Sequence, residues 1–121
     1  MTKAGALYNF WNGFLSAYEE NTVPVDAKFP YITYQVVEDS FENEVQMSAS
    51  LWYRSESWLE INAKADEISQ AIGRGGILLP CDNGKIWIKR GNPFAQNMGD
   101  ENDELIRRKY INITVEFLTA D

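Results

Sequence analysis

The chain opens on a helical period. Leu7, Phe10, Trp11, Phe14, Leu15 and Tyr18 recur at three- and four-residue spacing, which puts them on one stripe of a helix predicted over about residues 4–20. Gly5 and Gly13 each weaken such a helix by up to ~1 kcal/mol relative to alanine, so it depends on packing, and Pro24 closes the segment. From Tyr31 the period falls to two. Residues 31–37 are rich in β-branched and aromatic side chains and read as a strand. After a polar, acidic stretch, Val45, Met47, Ala49, Leu51 and Tyr53 alternate with Gln46, Ser48, Ser50, Trp52 and Arg54, a second strand with one apolar face. The two strands around their polar connection form a hairpin.

Ser57 and Glu60 have the spacing of a capping box, and Trp58, Ile61, Ala65, Ile68 and Ile72 then follow a helical period. Glycines at 73, 75 and 76 end this second helix. Residues 77–79 and 85–89 flank Asp82-Asn83-Gly84, and Asn-Gly suits a tight type I′ turn, so a second hairpin is expected. Residues 91–105 show neither period and read as a long loop. In the last segment, residues 107–119, Ile111, Ile113, Val115 and Phe117 alternate with Tyr110, Asn112, Thr114 and Glu116. The predicted order is α-β-β-α-β-β-β. It implies a single α+β domain over residues 1–121: a two-layer sandwich, its antiparallel or mixed sheet carrying both helices on one face, with the final strand central.

Composition narrows the function. The 121 residues include no histidine and one cysteine, and 18 acidic side chains stand against 11 basic ones, for a formal charge of −7. Apolar residues make up 45%, enough for one hydrophobic core. The N-terminal residues lack the charged-then-apolar layout of a signal peptide, no apolar run approaches the ~20 residues of a membrane span, and the lone cysteine excludes an internal disulfide. A cytosolic protein with no membrane partner is expected. The negative charge argues against ordinary nucleic-acid binding, which rests on Lys and Arg neutralising phosphates. The acids cluster: Glu38, Asp39, Glu42 and Glu44 in one stretch, Asp100, Glu101, Asp103 and Glu104 in another, together 8 of the 18.

These residues offer little reactive chemistry. Without histidine there is no Ser-His or Cys-His pair. Cys81 follows Pro80 at a hairpin tip and reads as a small turn residue rather than a nucleophile. The acidic stretches read as solvated loops. Residues 100–104 lack the alternation and mid-loop glycine of a calcium loop. No catalytic residue, cofactor or metal site is expected, and Arg107-Arg108-Lys109 is read as pairing with acids on its own or a neighbouring subunit. Contact chemistry remains. Trp52 falls on the polar face of its strand, and Phe94 and Met98 lie in the 91–105 loop, so these three are the candidate interface residues.

Three segments carry a resemblance: Pro30-Tyr31-Ile32-Thr33-Tyr34-Gln35, residues 48–55 (SASLWYRS) leading into the capped helix, and residues 110–117 (YINITVEF). In these, and in element order over about residues 5–119, the chain resembles the tail-terminator and head–tail joining proteins of long-tailed bacteriophages and prophages. The resemblance implies a two-layer fold that assembles as a homo-oligomer, typically a hexameric ring, at the end of the tail tube. Its partners would be the tail-tube protein and head or neck proteins, with DNA passing through the channel without specific binding. Its place would be the head–tail junction of the virion, and the bacterial cytoplasm during assembly. One acidic stretch, 38–44 or 100–104, would face the channel, where negative charge lets DNA slide. The alternatives are another neck or head-completion protein and, from a different class, a cytosolic small-molecule-binding α+β domain with a cleft under the long loop.

Overall fold

A computed structural model describes residues 1–39, 43–99 and 103–121. Its elements run α1 (Lys3–Asn12), β1 (Ala17–Glu19), β2 (Tyr31–Tyr34), β3 (Glu44–Arg54), α2 (Leu59–Ile72), β4 (Ile77–Cys81), β5 (Gly84–Gly99) and β6 (Ile106–Thr119). The strands form one six-stranded sheet in the order β1-β2-β3-β6-β5-β4. All neighbours are antiparallel except β1 and β2, which are parallel, so the sheet is mixed. The fold is the α+β architecture that the periodicities predict, with the final strand central between β3 and β5.

Register decides which side chains meet. Met47 lies opposite Ile113 and Ala49 opposite Ile111, while Ile86 faces Phe117 and Ile88 faces Val115. With Ile32 opposite Leu51, these pairs put one apolar set on one face of the sheet. Ala6, Leu7, Phe10 and Trp11 of α1 and Ile61, Ala65, Ile68 and Ile72 of α2 join them in a single core. Helix α2 covers β3, β6 and β5. Helix α1 touches β1 and β2 near one edge and β4 at the other, so the sheet curls around it as an open half-barrel.

The first helix is shorter than its apolar stripe predicts. It starts at Thr2, whose hydroxyl accepts the Gly5 N–H at 2.9 Å, and stops at Asn12. The Asn12 side-chain oxygen accepts the Ala17 N–H at 3.2 Å, turning the chain so that residues 17–19 extend along β2. Phe14 keeps its apolar role beyond the helix end, edge-on to Phe10 at 5.3 Å. Sheet pairing has overridden a helical pattern weakened at Asn12-Gly13. Strand β2 likewise ends at Tyr34 rather than 37, although Gln35 still donates its N–H to the Ser48 carbonyl.

The other boundaries show how side chains divide the turn chemistry. Ser57 accepts the Leu59 N–H at 3.0 Å, a tight turn rather than the expected capping box, and Trp58 is the cap residue. In the β4–β5 hairpin Cys81 pairs with Gly84, so the turn residues are Asp82 and Asn83, one position earlier than an Asn-Gly turn. Asn83 takes the left-handed φ of 65°, and a side chain on Gly84 would collide with the Leu118 carbonyl.

The largest correction concerns residues 91–105. Residues 91–99 are strand rather than loop, because β5 continues to Gly99 and pairs residues 95–99 with 111–107 of β6. The period is hidden because register breaks between Arg90 and Ala95, where the four residues 91–94 bulge opposite the single residue Asn112. Gly91 fits there since a Cβ would lie 2.7 Å from the Asn112 carbonyl oxygen, and the Asn112 amide donates to the Pro93 carbonyl at 3.1 Å.

The face assignment gives a direct test. Phe117→Ala, which empties a fully buried site, is expected to lower unfolding free energy by about 3–5 kcal/mol. Thr114→Ala, on the opposite face of the same strand, is expected to cost under about 1 kcal/mol in the same denaturant titration.

Candidate functional site

Among the described residues, no helix lies on the second face of the sheet. Register lays Tyr31 of β2, Trp52 of β3, Arg108 of β6 and Met98 of β5 in one row across it. The adjacent row is Thr33, Ser50, Tyr110 and Gln96. Strand alternation alone points these side chains outward, but only four-strand pairing makes them neighbours.

Their contacts form a stacked ladder. Phe29 and Tyr31 have ring centroids 5.3 Å apart, and Tyr31 stacks on Trp52 at 6.2 Å with 22° between planes. The Arg108 guanidinium sits 4.6 Å from the Trp52 ring and 4.7 Å from the Tyr110 ring, so it is held by two aromatic faces. Two hydrogen bonds fix the ladder to the sheet. The Trp52 indole N–H donates to Thr33 Oγ1 at 2.9 Å, and Arg108 Nε donates to Ser50 Oγ at 3.2 Å. Thr33 and Ser50 are buried beneath the ladder, and these bonds satisfy their hydroxyls. Burial also raises the Tyr31 phenol above its usual range, with Tyr18 adding to the shift.

Two shallow depressions flank the rows. One of about 350 Å³ is lined by Glu20, Asn21, Val23, Tyr31, Thr33, Trp52 and Arg108. The other, about 180 Å³, lies at the β5 bulge between Gln46, Asn112, Thr114 and residues 91–93. Amides, hydroxyls, two aromatic rings and the Glu20 carboxylate line them beside the Arg108 cation, a surface that can bind by contact.

The three candidate interface residues separate. Trp52 and Met98 flank Arg108 in the same row, whereas Phe94 sits in the bulge and packs partly against the core. The basic run also departs from expectation. Among the described residues none of its three members forms an ion pair. Arg107 donates to the carbonyls of Glu104 and Glu56 and lies 5.3 Å from the Trp58 ring. Lys109 points inward and bridges the side-chain oxygens of Asn62 and Asn97 at 2.7 and 2.8 Å, where burial lowers its pKa. Adjacent residues on a strand face opposite ways, so the run is split between the two faces instead of forming one basic patch.

The acids lie at opposite ends of the sheet. Glu44 begins β3 opposite Glu116 and binds Lys89 at 2.6 Å, and Glu38 shares a cleft with Lys3, Asp82 and Asp121. Asp39 accepts from the Asn43 amide at 3.4 Å. Asp103 and exposed Glu104 lie at the other end, where β6 begins. Glu42, Asp100 and Glu101 fall outside the described residues. Among the described residues no group of three acids or cysteines is spaced for a metal ion. Cys81 is half-buried, and burial raises its thiol pKa.

Tyr31 and Tyr110 are not among the candidate site residues read from the sequence, and Arg108 enters there only as the middle of a basic run. The available signal was the polar-face position of Trp52 and Tyr110, but the residues that meet them depend on cross-strand register. No family model and no curated protein matches the chain.

Two measurements test this description. Trp52→Phe keeps the stack but strands the Thr33 hydroxyl, and is expected to cost about 1 kcal/mol in chemical denaturation. Asp103 accepts the Leu105 N–H at 2.9 Å and pairs with Arg54, which holds its carboxyl below the usual aspartate range. Its contribution is present above the ordinary aspartate pKa and is lost as pH falls through the depressed folded value. In Arg54→Ala its NMR titration midpoint is expected to rise yet stay below an ordinary aspartate, because the Leu105 bond persists.

Proposed function

We propose that this chain is a non-enzymatic virion assembly protein, a tail terminator whose copies close a hexameric ring that caps the tail tube of a long-tailed phage or prophage and joins it to the head. The observation that carries the reading is the helix-free sheet face, where Tyr31, Trp52, Arg108 and Tyr110 form one ordered ladder. A solvated sheet face has no need to immobilise large aromatic side chains, whereas a contact surface gains from rings that lose little entropy on binding. The three segments that resemble terminator and head–tail joining proteins also support it. They fall on β2, β3 and β6, consecutive strands of the sheet that build this face.

The placement of charge fits the same role. Each end of the sheet carries its own acids, so a ring can expose one set to its channel while the other set lies elsewhere. Negative charge lining that channel repels the phosphate backbone and lets DNA pass without specific binding. The partners are further copies of the chain, the tail-tube protein and head or neck proteins. The place of action is the head–tail junction, reached after assembly in the host cytoplasm.

The test combines native mass by light scattering across a concentration series, negative-stain imaging and capping of purified tail tubes. A discrete hexamer with an open centre, or capped tubes of fixed length, is the expected result. A chain that stays monomeric and leaves tube ends growing overturns the reading.

A further inference from the structure

We infer that Arg108 receives the carboxylate of Glu38 from a second copy of the chain, with Val37 of that copy lying against the aromatic ladder. The inference rests on the ring reading and names the contact that would build the ring. The receiving side is preformed. Nε of Arg108 is engaged by Ser50, and the guanidinium plane is held between Trp52 and Tyr110. Among the described residues no carboxylate lies within ion-pair distance of it. Its terminal nitrogens therefore remain to donate, and two such donors match the two oxygens of one carboxylate. Because the side chain is already held by its stacks and by Ser50, little rotamer entropy is lost when the carboxylate arrives. Glu20 lines the same groove but lies outside ion-pair distance of Arg108.

The donor is argued from charge and from exposure. With 18 acids against 11 bases, a second copy brings a surplus of carboxylates to this cation. Glu38 is exposed and forms no ion pair among the described residues, and its neighbour Val37 is an outlying apolar residue at 38% exposure. An apolar residue next to an acid complements a groove in which aromatic rings frame one cation.

Geometry excludes the same contact within one chain. Glu38 shares its cleft with Asn83 and Asp121, beyond the end of β6, whereas Arg108 lies near the start of that strand. The eleven residues from 108 to 119 span on the order of 35 Å at about 3.3 Å per residue. The contact therefore joins two different patches of two copies. Repeated head to tail, such a contact generates a closed ring or an open filament.

Charge reversal tests it, with assembly read both as solution mass and as capping of tail tubes. Arg108→Gln, Arg108→Glu and Glu38→Arg are each expected to weaken association at least about tenfold. The double variant Arg108→Glu/Glu38→Arg is expected to restore it. Thermal melts and near-ultraviolet circular dichroism confirm that each variant folds, and Arg108→Gln serves where Arg108→Glu does not. A ring that forms unchanged in Arg108→Gln overturns this inference alone. Folded single variants that lose assembly without recovery in the double variant also overturn it. A wild-type chain that neither assembles nor caps tubes overturns the ring reading as well.

Discussion

The register of β6 against β3 and β5 is the constraint on which the rest depends. Ile111, Ile113, Val115 and Phe117 are all fully buried or nearly so; Ile111 and Val115 meet apolar partners on both neighbouring strands, while Ile113 faces Met47 of β3 and Phe117 faces Ile86 of β5. A slip of one residue would turn Tyr110, Asn112, Thr114 and Glu116 toward the helices and the isoleucines toward water. Burying one such side chain is worth about 1.5–3 kcal/mol, so four of them misplaced at once would cost as much as the whole stability of an ordinary domain. The same register lines up Trp52, Arg108 and Met98 on the other side. Core and outer aromatic ladder are two consequences of one alignment.

The sheet edges are handled by different means. Helix α1 bridges the two ends of the sheet, and the chain terminus reinforces it there. The Met1 amino group pairs with Asp82, the Met1 carbonyl accepts the Asp82 N–H, and Lys3 binds Asp121. Edge strand β4 contains Pro80, which removes a donor from the open side, and edge strand β1 spans only three residues. These features discourage indiscriminate strand addition. The broad face, rather than the edges, is thereby left open to the proposed mode of assembly.

Arg108 illustrates how a residue's role depends on its strand. In a linear reading it is the middle of a basic run next to acids. In the sheet its neighbours in sequence, Arg107 and Lys109, face the opposite way and serve α2 and the carbonyls around it. Arg108 alone reaches the aromatic face. The helix-like stripe through Tyr18 and the missing period of residues 91–99 have the same origin. Pairing partners far away in sequence determine local conformation there, through a β1–β2 ladder in the first case and a four-residue bulge in the second.

By itself, the sequence determined the fold class, helix α2, the β4–β5 hairpin and the inward set on β3 and β6, because each rests on a period that one segment carries alone. It also singled out three candidate contact residues, Trp52 from the polar face of its strand and Phe94 and Met98 from an expected loop. Only the tertiary structure decided that Trp52 and Met98 flank Arg108, that Phe94 leans on the core, and that the acids divide between two ends of the sheet. Those facts depend on register, a bulge and the order of strands. All three are set by contacts between residues distant in the chain, where no local pattern of hydrophobic and polar positions can record them.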